Sequence, residues 1–160
     1  MAYAVVHRLE YSLELPVTIL QAWEFFSNPL NLRRITPAEL DFVIVSQLPE
    51  SIYPGLMIEY RVRPLCGLRM RWLTEITHVR APHYFVDEQR MGPYRMWHHE
   101  HFLESTPDGS STVVRDLVHY ILPMSPLTEW AHPMIVAPQL KKIFDFRANK
   151  LKELFPKSLT

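Results

Sequence analysis

The strongest evidence in the sequence about the fold is the alternation of apolar and polar residues along several segments. In HRLEYSLEL, residues 7–15, leucine and tyrosine alternate with charged or polar side chains. This period of two predicts a β-strand with one buried face. Six later segments also have strand character: ELDFVIVSQ, LMIEYRVRP, LRMRWLTEITHV, HYFVDEQRM, RMWHHEHFLE and STVVRDLVHYILP. The short breaks between them favour antiparallel neighbours.

Helical periodicity appears on both sides of the run of strands. After Pro16, TILQAWEFFSN opens with the capping-box spacing of Thr18 and Gln21, and Asn28-Pro29 can begin a second short helix. After Pro123 the pattern is helical to the end. Seven residues there recur at helical spacing: Leu140, Ile143, Phe144, Arg147, Leu151, Leu154 and Phe155.

The predicted order of elements is β-α-α-β-β-β-β-β-β-α within a single domain, residues 1–160. The fold class is therefore α+β, with a seven-stranded curved antiparallel sheet wrapped around a long C-terminal helix and two short helices after the first strand. Such a sheet must cover one face with something apolar, and the last helix is the only long element for it. The gap between them predicts an internal cavity. Pro133 and Pro138 predict a kink or break where that helix begins.

Composition excludes several classes of function. The 17 lysines and arginines balance the 17 aspartates and glutamates, so the bulk charge does not call for nucleic acid. The sequence has no phosphate-binding glycine loop, no GxSxG and no CxxC, and we expect no cofactor. Cys66 is the one cysteine, which rules out an internal disulfide and suits a reducing compartment. With no signal peptide or membrane-spanning segment in the pattern, we expect a cytoplasmic protein.

Four stretches carry a resemblance to a known superfamily: SLELPVTILQAWEFFSNPLNLRRITP, FVDEQRMGPYRMWHHEH, RDLVHYILP and FDFRANKLKELF. Together with the order of elements, they resemble the START-like helix-grip superfamily (SRPBCC). Within it, the chain is similar to uncharacterised bacterial members of the polyketide cyclase/dehydrase-like or lipid-binding type. The resemblance covers nearly the whole chain, and its motifs are more specific for the fold than for a function.

The stretch MWHHEHF, residues 96–102, holds three of the eight histidines. On a strand, alternate side chains share a face, so His99 and His101 lie together with Trp97, while His98 and Glu100 point the other way. The resemblance favours the face of Trp97 as the inner one. Tight turns would then align the neighbouring strands in three rows: Asp87 with His99 and Val118, Phe85 with His101 and Asp116, and Gln89 with Trp97 and Tyr120.

Three hypotheses account for these inward polar residues. The first is a hydrogen-bonded cluster, since buried polar groups need partners. The second is acid–base catalysis, in which Asp116 holds His101 or Asp87 holds His99, and an imidazole moves protons on a bound carbonyl compound. This hypothesis makes the four residues catalytic. The third is a metal held by the two histidines and an aspartate. The spacing of the aspartates is not diagnostic, and the superfamily does not usually bind metals, so we predict none.

Large side chains crowd the predicted inner face and give it two possible roles. They either fill the cavity or form walls for an aromatic or isoprenoid ligand. The predicted ligand-binding residues are Tyr11, Tyr60, Trp72, Phe85, Gln89, Trp97, Tyr120 and Phe144.

One predicted hairpin carries four arginines on its outer face: Arg61, Arg63, Arg69 and Arg71. They form either a solvated face balanced by Glu59 and Glu75 or a contact for an anionic partner such as a membrane surface. Nucleic acid is not expected, because that side lacks interleaved aromatic residues.

The sequence leads to three functional hypotheses. The first is binding or transport of a hydrophobic small molecule, such as a lipid, a quinone or a polyketide-like compound. The second is a cyclase or dehydratase that uses the histidine–aspartate face. The third is a protein-interaction module, which would have a filled cavity and an exposed apolar patch.

Overall fold

The computed structural model describes residues 3–63 and 68–157, so the predicted tip with Cys66 lies outside the described residues. Seven strands form one antiparallel sheet: β1 His7–Leu15, β2 Val43–Ile44, β3 Leu56–Val62, β4 Met70–Arg80, β5 Tyr84–Met91, β6 Met96–Ser105 and β7 Thr112–Ile121. The strands lie in the order β1-β7-β6-β5-β4-β3-β2. This confirms the predicted fold class.

Two short helical segments follow β1, as predicted. Helix α1, Ile19–Ser27, begins with a complete capping box, in which Gln21 Oε1 accepts from the Thr18 backbone at 3.0 Å. A 3-10 helix, Pro29–Ile35, follows Asn28, whose Oδ1 accepts from the Leu30 backbone at 3.0 Å. A further 3-10 turn, Ala38–Leu40, occupies part of the segment predicted as the second strand, so β2 is much shorter than ELDFVIVSQ.

The C-terminal helix α2, Ala137–Leu154, begins later than helical periodicity alone indicates. A single π-helical turn, His132–Val136, precedes it and contains Pro133. Pro138 lies in the first turn of α2, where a missing backbone N–H costs little. The backbone of Val136 and Ala137 is right-handed helical, so the predicted kink or break takes the form of this π-helical turn and the chain does not leave the helix. None of the helices in the described ranges is long and apolar enough to cross a membrane.

Three apolar clusters hold the helices on the concave face of the sheet. Leu140 and Phe144 of α2 pack with Trp97 and Val118. Leu151, which lies two turns after Phe144, packs with α1 and the first strand. The third cluster lies around Tyr60, on β3 to β5. Register shifts between β4 and β5 mark irregularities that bend the sheet. The space left between the clusters and α2 is the cavity.

Candidate functional site

A cavity of about 200 Å³ lies between the sheet and the helical segments. Its walls come from α1, the first 3-10 helix, strands β3 to β6 and α2. Most of the lining side chains are apolar, including Phe26, Ile58 and Leu140. The polar exceptions include Asp87, His99, His101 and Arg147, as well as a few amide and hydroxyl groups. An apolar cavity with a few convergent polar groups is the usual form of a small-molecule site.

Strand β6 directs its histidines as the alternation predicts. His99 and His101 are buried on the inner face, 4% and 7% exposed. His98 lies on the outer face, where its Nδ1 is 2.9 Å from Glu88 Oε1. Glu100, also on that face, accepts a hydrogen bond from Tyr84 at 2.9 Å. The three histidines are therefore one buried pair and one separate surface residue.

The buried pair forms an alternating network with two aspartates. The Nε2 of His99 donates to Asp116 Oδ1 at 2.9 Å, and the Nε2 of His101 donates to Asp87 Oδ2 at 2.6 Å. His99 Nδ1 also lies 3.4 Å from Asp87 Oδ2. His101 Nδ1 lies 3.0 Å from Asp116 Oδ1, but without the alignment of a hydrogen bond. Each imidazole thus contacts both carboxylates.

The strand pairing confirms the predicted rows of His99 and His101, and the contacts refine the predicted partners. Asp87 is directly opposite His99, and Asp116 is directly opposite His101. The shorter hydrogen bonds nevertheless run diagonally, from each histidine to the aspartate of the neighbouring row. Both diagonal bonds are possible because the two imidazole rings lie one above the other, with centroids 3.7 Å apart. Phe85 stacks on His101 at 4.0 Å and fixes the plane of that ring.

The network keeps both carboxylates ionised. Burial opposes ionisation, but the charges of His99 and His101 and the hydrogen bond from His101 hold the pKa of Asp87 below its ordinary value. Burial also opposes ionisation of Asp116, but the close contacts and charges of both imidazoles outweigh it and hold the pKa of Asp116 well below its ordinary value.

The same network separates the two histidines electrostatically. Burial and the adjacent His101 charge lower the pKa of His99, against the pull of the two carboxylates. For His101, burial is outweighed by Asp116 and Asp87, and its pKa is raised. The network therefore favours the cationic form of His101 and the neutral form of His99. A buried acid next to a buried base, both on a cavity wall, is a pattern found at functional sites.

Asp87, His99 and His101 could also offer three ligand atoms to a metal ion, because one from each lies within 4.8 Å of the others. Ligand atoms around a tetrahedral zinc are about 3.3 Å apart, given bonds of about 2.0 Å. The 2.6 Å contact of His101 with Asp87 is shorter and has the length of a strong hydrogen bond. The geometry as it stands is therefore that of a hydrogen-bonded network.

The structure brings five of the eight predicted ligand-binding residues to the cavity wall: Tyr60, Trp72, Phe85, Trp97 and Phe144. Three of the four predicted catalytic residues line the cavity as well. Asp116 instead lies behind the histidines, beside a small gap of about 20 Å³ between β1, β7 and α2. It reaches the site through its contacts with the imidazoles.

The other three predicted ligand-binding residues lie away from the cavity. The Tyr11 ring stacks on Phe144 with centroids 5.0 Å apart, and its hydroxyl donates to Asp145 at 3.2 Å. Gln89 holds the turn between β5 and β6 by donating to the Tyr94 carbonyl at 2.6 Å. The Tyr120 hydroxyl lies 2.7 Å from His132 Nε2. These side chains tie the sheet to other elements, and their predicted contact with a ligand is untested.

Sequence reasoning gave Arg147 no role, although this residue is one of the seven that recur at helical spacing. The structure puts Arg147 on the cavity wall, with its guanidinium carbon 4.9 Å from the centre of the Phe144 ring. A charged residue within an otherwise apolar helical stripe was the signal in the sequence.

The four arginines of the β3–β4 hairpin are largely accounted for by carboxylates. Arg63 and Arg69 pair with Asp41 at 3.2 and 2.6 Å, and Arg71 pairs with Glu59 at 2.9 Å. Glu75 pairs with Arg90 instead. These exposed pairs agree with the balanced solvated face. A contact with an anionic partner, which would also involve Arg61, stays a prediction.

Comparison with known proteins identifies the fold. No family model and no curated protein matches the sequence. Among solved structures, truncated norcoclaurine synthase from Thalictrum flavum aligns over 99% of both chains, with 14% identity and a TM-score of 0.67. Protein Ms6760 from Mycobacterium smegmatis aligns over 92% of this chain and 89% of its own, with 16% identity and a TM-score of 0.65. One structure of the synthase is a complex with dopamine and hydroxybenzaldehyde.

These likenesses show the fold, a helix-grip fold of the Bet v1-like type. Membership of the superfamily that the sequence resembles stays a prediction. The bacterial cyclase/dehydrase-like or lipid-binding subgroup stays a prediction.

Proposed function

We propose that this protein binds a hydrophobic small molecule in the cavity between the sheet and α2. The observation that carries the proposal is the cavity itself, which is lined mostly by apolar side chains and has a few ionised groups on its wall. One water needs only about 10–15 Å³ of such space, so about 200 Å³ accommodates an organic molecule of about ten or more non-hydrogen atoms. The same fold in norcoclaurine synthase accommodates aromatic molecules of that size.

The direct test is native mass spectrometry of gently purified protein, compared with the mass after denaturation. An organic mass that leaves on denaturation supports the proposal, and its identity distinguishes a lipid, a quinone and a polyketide-like compound. A metal-sized mass removed by a chelator would instead support the metal hypothesis for Asp87, His99 and His101. A bare chain that also fails to retain added lipid extract or aromatic compounds would contradict the proposal.

Filling the cavity is expected to abolish binding. Ile143 lies on the cavity face of α2, so Ile143→Trp places an indole where the ligand would sit. The matched control is Asn149→Trp, an exposed position on the same helix. We expect the Ile143 variant to lose the copurifying compound and the Asn149 variant to keep it. Circular dichroism and thermal melting verify that both are folded, and equal ligand retention by the two variants would contradict binding in this cavity.

A second function, acid–base catalysis of cyclisation or dehydration, is favoured by one observation. The buried pair lies on the cavity wall and is held in orientation by carboxylates, with the cationic form favoured at His101 and the neutral form at His99. In this hypothesis the neutral imidazole takes a proton from a bound carbonyl compound and the cationic one donates a proton to the leaving oxygen. Asp87 and Asp116 orient the rings and stabilise the charge.

Replacing the histidines separates the carrier from the enzyme. We expect His101→Gln and His99→Gln to keep the bound compound unchanged if the protein is a carrier. If it is a dehydratase, the compound bound to the variants will be heavier than that bound to the unmodified protein by one water molecule. His98→Gln, on the outer face of the same strand, is the matched control. Mass spectrometry of the extracted compounds gives the answer.

The third hypothesis, a protein-interaction module, requires a filled cavity, and the cavity here is open. Several large side chains between residues 124 and 135 are nevertheless exposed, including Leu127 at 80% and Trp130 at 67%. The unfilled cavity makes small-molecule binding the better supported function.

A further inference from the structure

We propose that the cavity selects apolar molecules that carry a carboxylate, and that Arg147 binds this group. The inference rests on the proposed function, because it states which polar group the ligand in the cavity carries. It adds a specificity-determining residue that the histidine–aspartate network does not include.

Arg147 is held in the cavity wall by its neighbours on α2. It belongs to the helical face that carries Ile143 and Phe144, both of which line the cavity. The guanidinium carbon lies 4.9 Å from the centre of the Phe144 ring, which is a cation–π contact. A rigid aromatic base of this kind reduces the entropy lost when the arginine binds a partner.

Among the residues that the structure describes, the guanidinium has no anionic partner. Its Nε is buried and makes no hydrogen bond to any residue of the described ranges. Within those same ranges it forms no salt bridge, whereas Arg69, Arg71 and Arg90 on the surface each pair with a carboxylate. A buried donor without a partner costs stability and calls for an explanation. A ligand group that accepts its hydrogen bonds provides one.

The nearby aspartates do not fill this role. The charge of Arg147 contributes to lowering the pKa of Asp87, so the two are close enough to interact, but they form no ion pair. Asp87 Oδ2 is instead contacted by His101 at 2.6 Å and by His99 at 3.4 Å. Both imidazoles therefore contact that oxygen, and the guanidinium is left to bind a ligand. Its planar fork matches the two oxygens of a carboxylate.

Two probes of equal size test the inference, 2-naphthoate and its neutral analogue 2-naphthamide, with binding followed by calorimetry. We expect the unmodified protein to bind naphthoate at least about tenfold more tightly than naphthamide, as a charge-assisted hydrogen bond implies. In Arg147→Met this preference should disappear while the affinity for naphthamide stays unchanged. Arg147→Gln is a second neutral variant should the methionine variant fail to fold. Arg61→Met, an exposed position on β3, has the same change of charge and should keep the preference.

The outcomes separate the two proposals. If both probes bind equally well to the unmodified protein, cavity binding stands and the role of Arg147 is wrong. The role is also wrong if naphthoate is preferred and Arg147→Met or Arg147→Gln keeps the preference. If neither probe binds, and Ile143→Trp changes nothing in the native mass spectrum, the proposed function fails together with the inference.

Discussion

Replacing Asp116 with asparagine is expected to lower the free energy of unfolding by about 3 kcal/mol, because it leaves a buried imidazolium without one of its two counter-charges. Asp116 Oδ1 lies 2.9 Å from His99 Nε2 and 3.0 Å from His101 Nδ1. Its side chain is only 13% exposed, so water cannot replace the lost charge. Asparagine keeps the shape of the side chain and removes the charge, which isolates the electrostatic part of the effect.

Urea unfolding at pH 7, followed by tryptophan fluorescence, measures this loss. The matched control is Glu104→Gln, which removes one negative charge at an exposed position on the same sheet. We expect the control to change the free energy of unfolding by less than about 0.5 kcal/mol. Asp116→Asn could instead change the free energy of unfolding as little as the control does. The Asp116 carboxylate would then carry no buried charge in solution, and the charges assigned to His99 and His101 would be wrong.

Much of the fold could be predicted because its strands bury only one face. Each strand with a solvated side must alternate, and β1 and β3 do so along their whole length. The second strand was predicted too long, because ELDFVIVSQ is apolar enough for a strand and only two of its residues pair with β3. Residues 38–40 turn into a 3-10 helix, ended by Asp41 in the left-handed region with φ 44°. Local propensity did not reveal that turn.

The candidate site was predictable where it depends on strand register. Alternation placed His99 and His101 on one face, and the turn lengths aligned them with Asp87 and Asp116. The diagonal hydrogen bonds were not predictable, because they depend on side-chain rotation within the same backbone pairing. Tyr11 and Tyr120 lie away from the cavity for a related reason: β1 and β7 meet the packed side of α2, and a strand pattern does not say which part of a concave face a helix covers.

Arg147 shows how a helical stripe should be interpreted next to a cavity. A stripe that packs against a sheet along its whole length has no place for an unpaired guanidinium. The charge at position 147 is tolerated because that part of α2 faces empty space and an aromatic ring. An isolated arginine in an apolar stripe therefore predicts a gap in the packing, and here the gap is the cavity.

We expect the contribution of the histidine–aspartate network to stability to be greatest near pH 6.5. The raised pKa of His101 means that its stabilising effect is complete below about pH 6.5 and is lost as the pH rises through its folded pKa. The lowered pKa of His99 acts in the opposite direction. Below about pH 6.5, His99 binds a proton more readily in the unfolded chain than in the folded protein. The free energy of unfolding therefore falls as the pH falls.

Asp87 and Asp116 add a steeper loss of stability in acid. Since the pKa values of Asp87 and Asp116 are lowered in the folded state, the stability that they contribute is present above about pH 4 and decreases as the pH falls through their folded values. The difference between the unmodified protein and Asp116→Asn should therefore shrink as the pH falls below about pH 4. Other acids with lowered pKa values, such as Asp108, are common to both proteins and cancel in that difference.

Urea unfolding from pH 5 to pH 9 separates the two histidines. His101→Gln should remove the decline in stability above about pH 6.5, and His99→Gln should reduce the decline below it, each by about 1.4 kcal/mol per unit of pKa displacement. His132, whose pKa is lowered by burial, is present in every variant and cancels in the comparison. His83→Gln, at an exposed turn, is the control. A His101→Gln profile parallel to that of the unmodified protein would mean that the network does not hold a cationic His101, and the acid–base hypothesis would lose its proton donor.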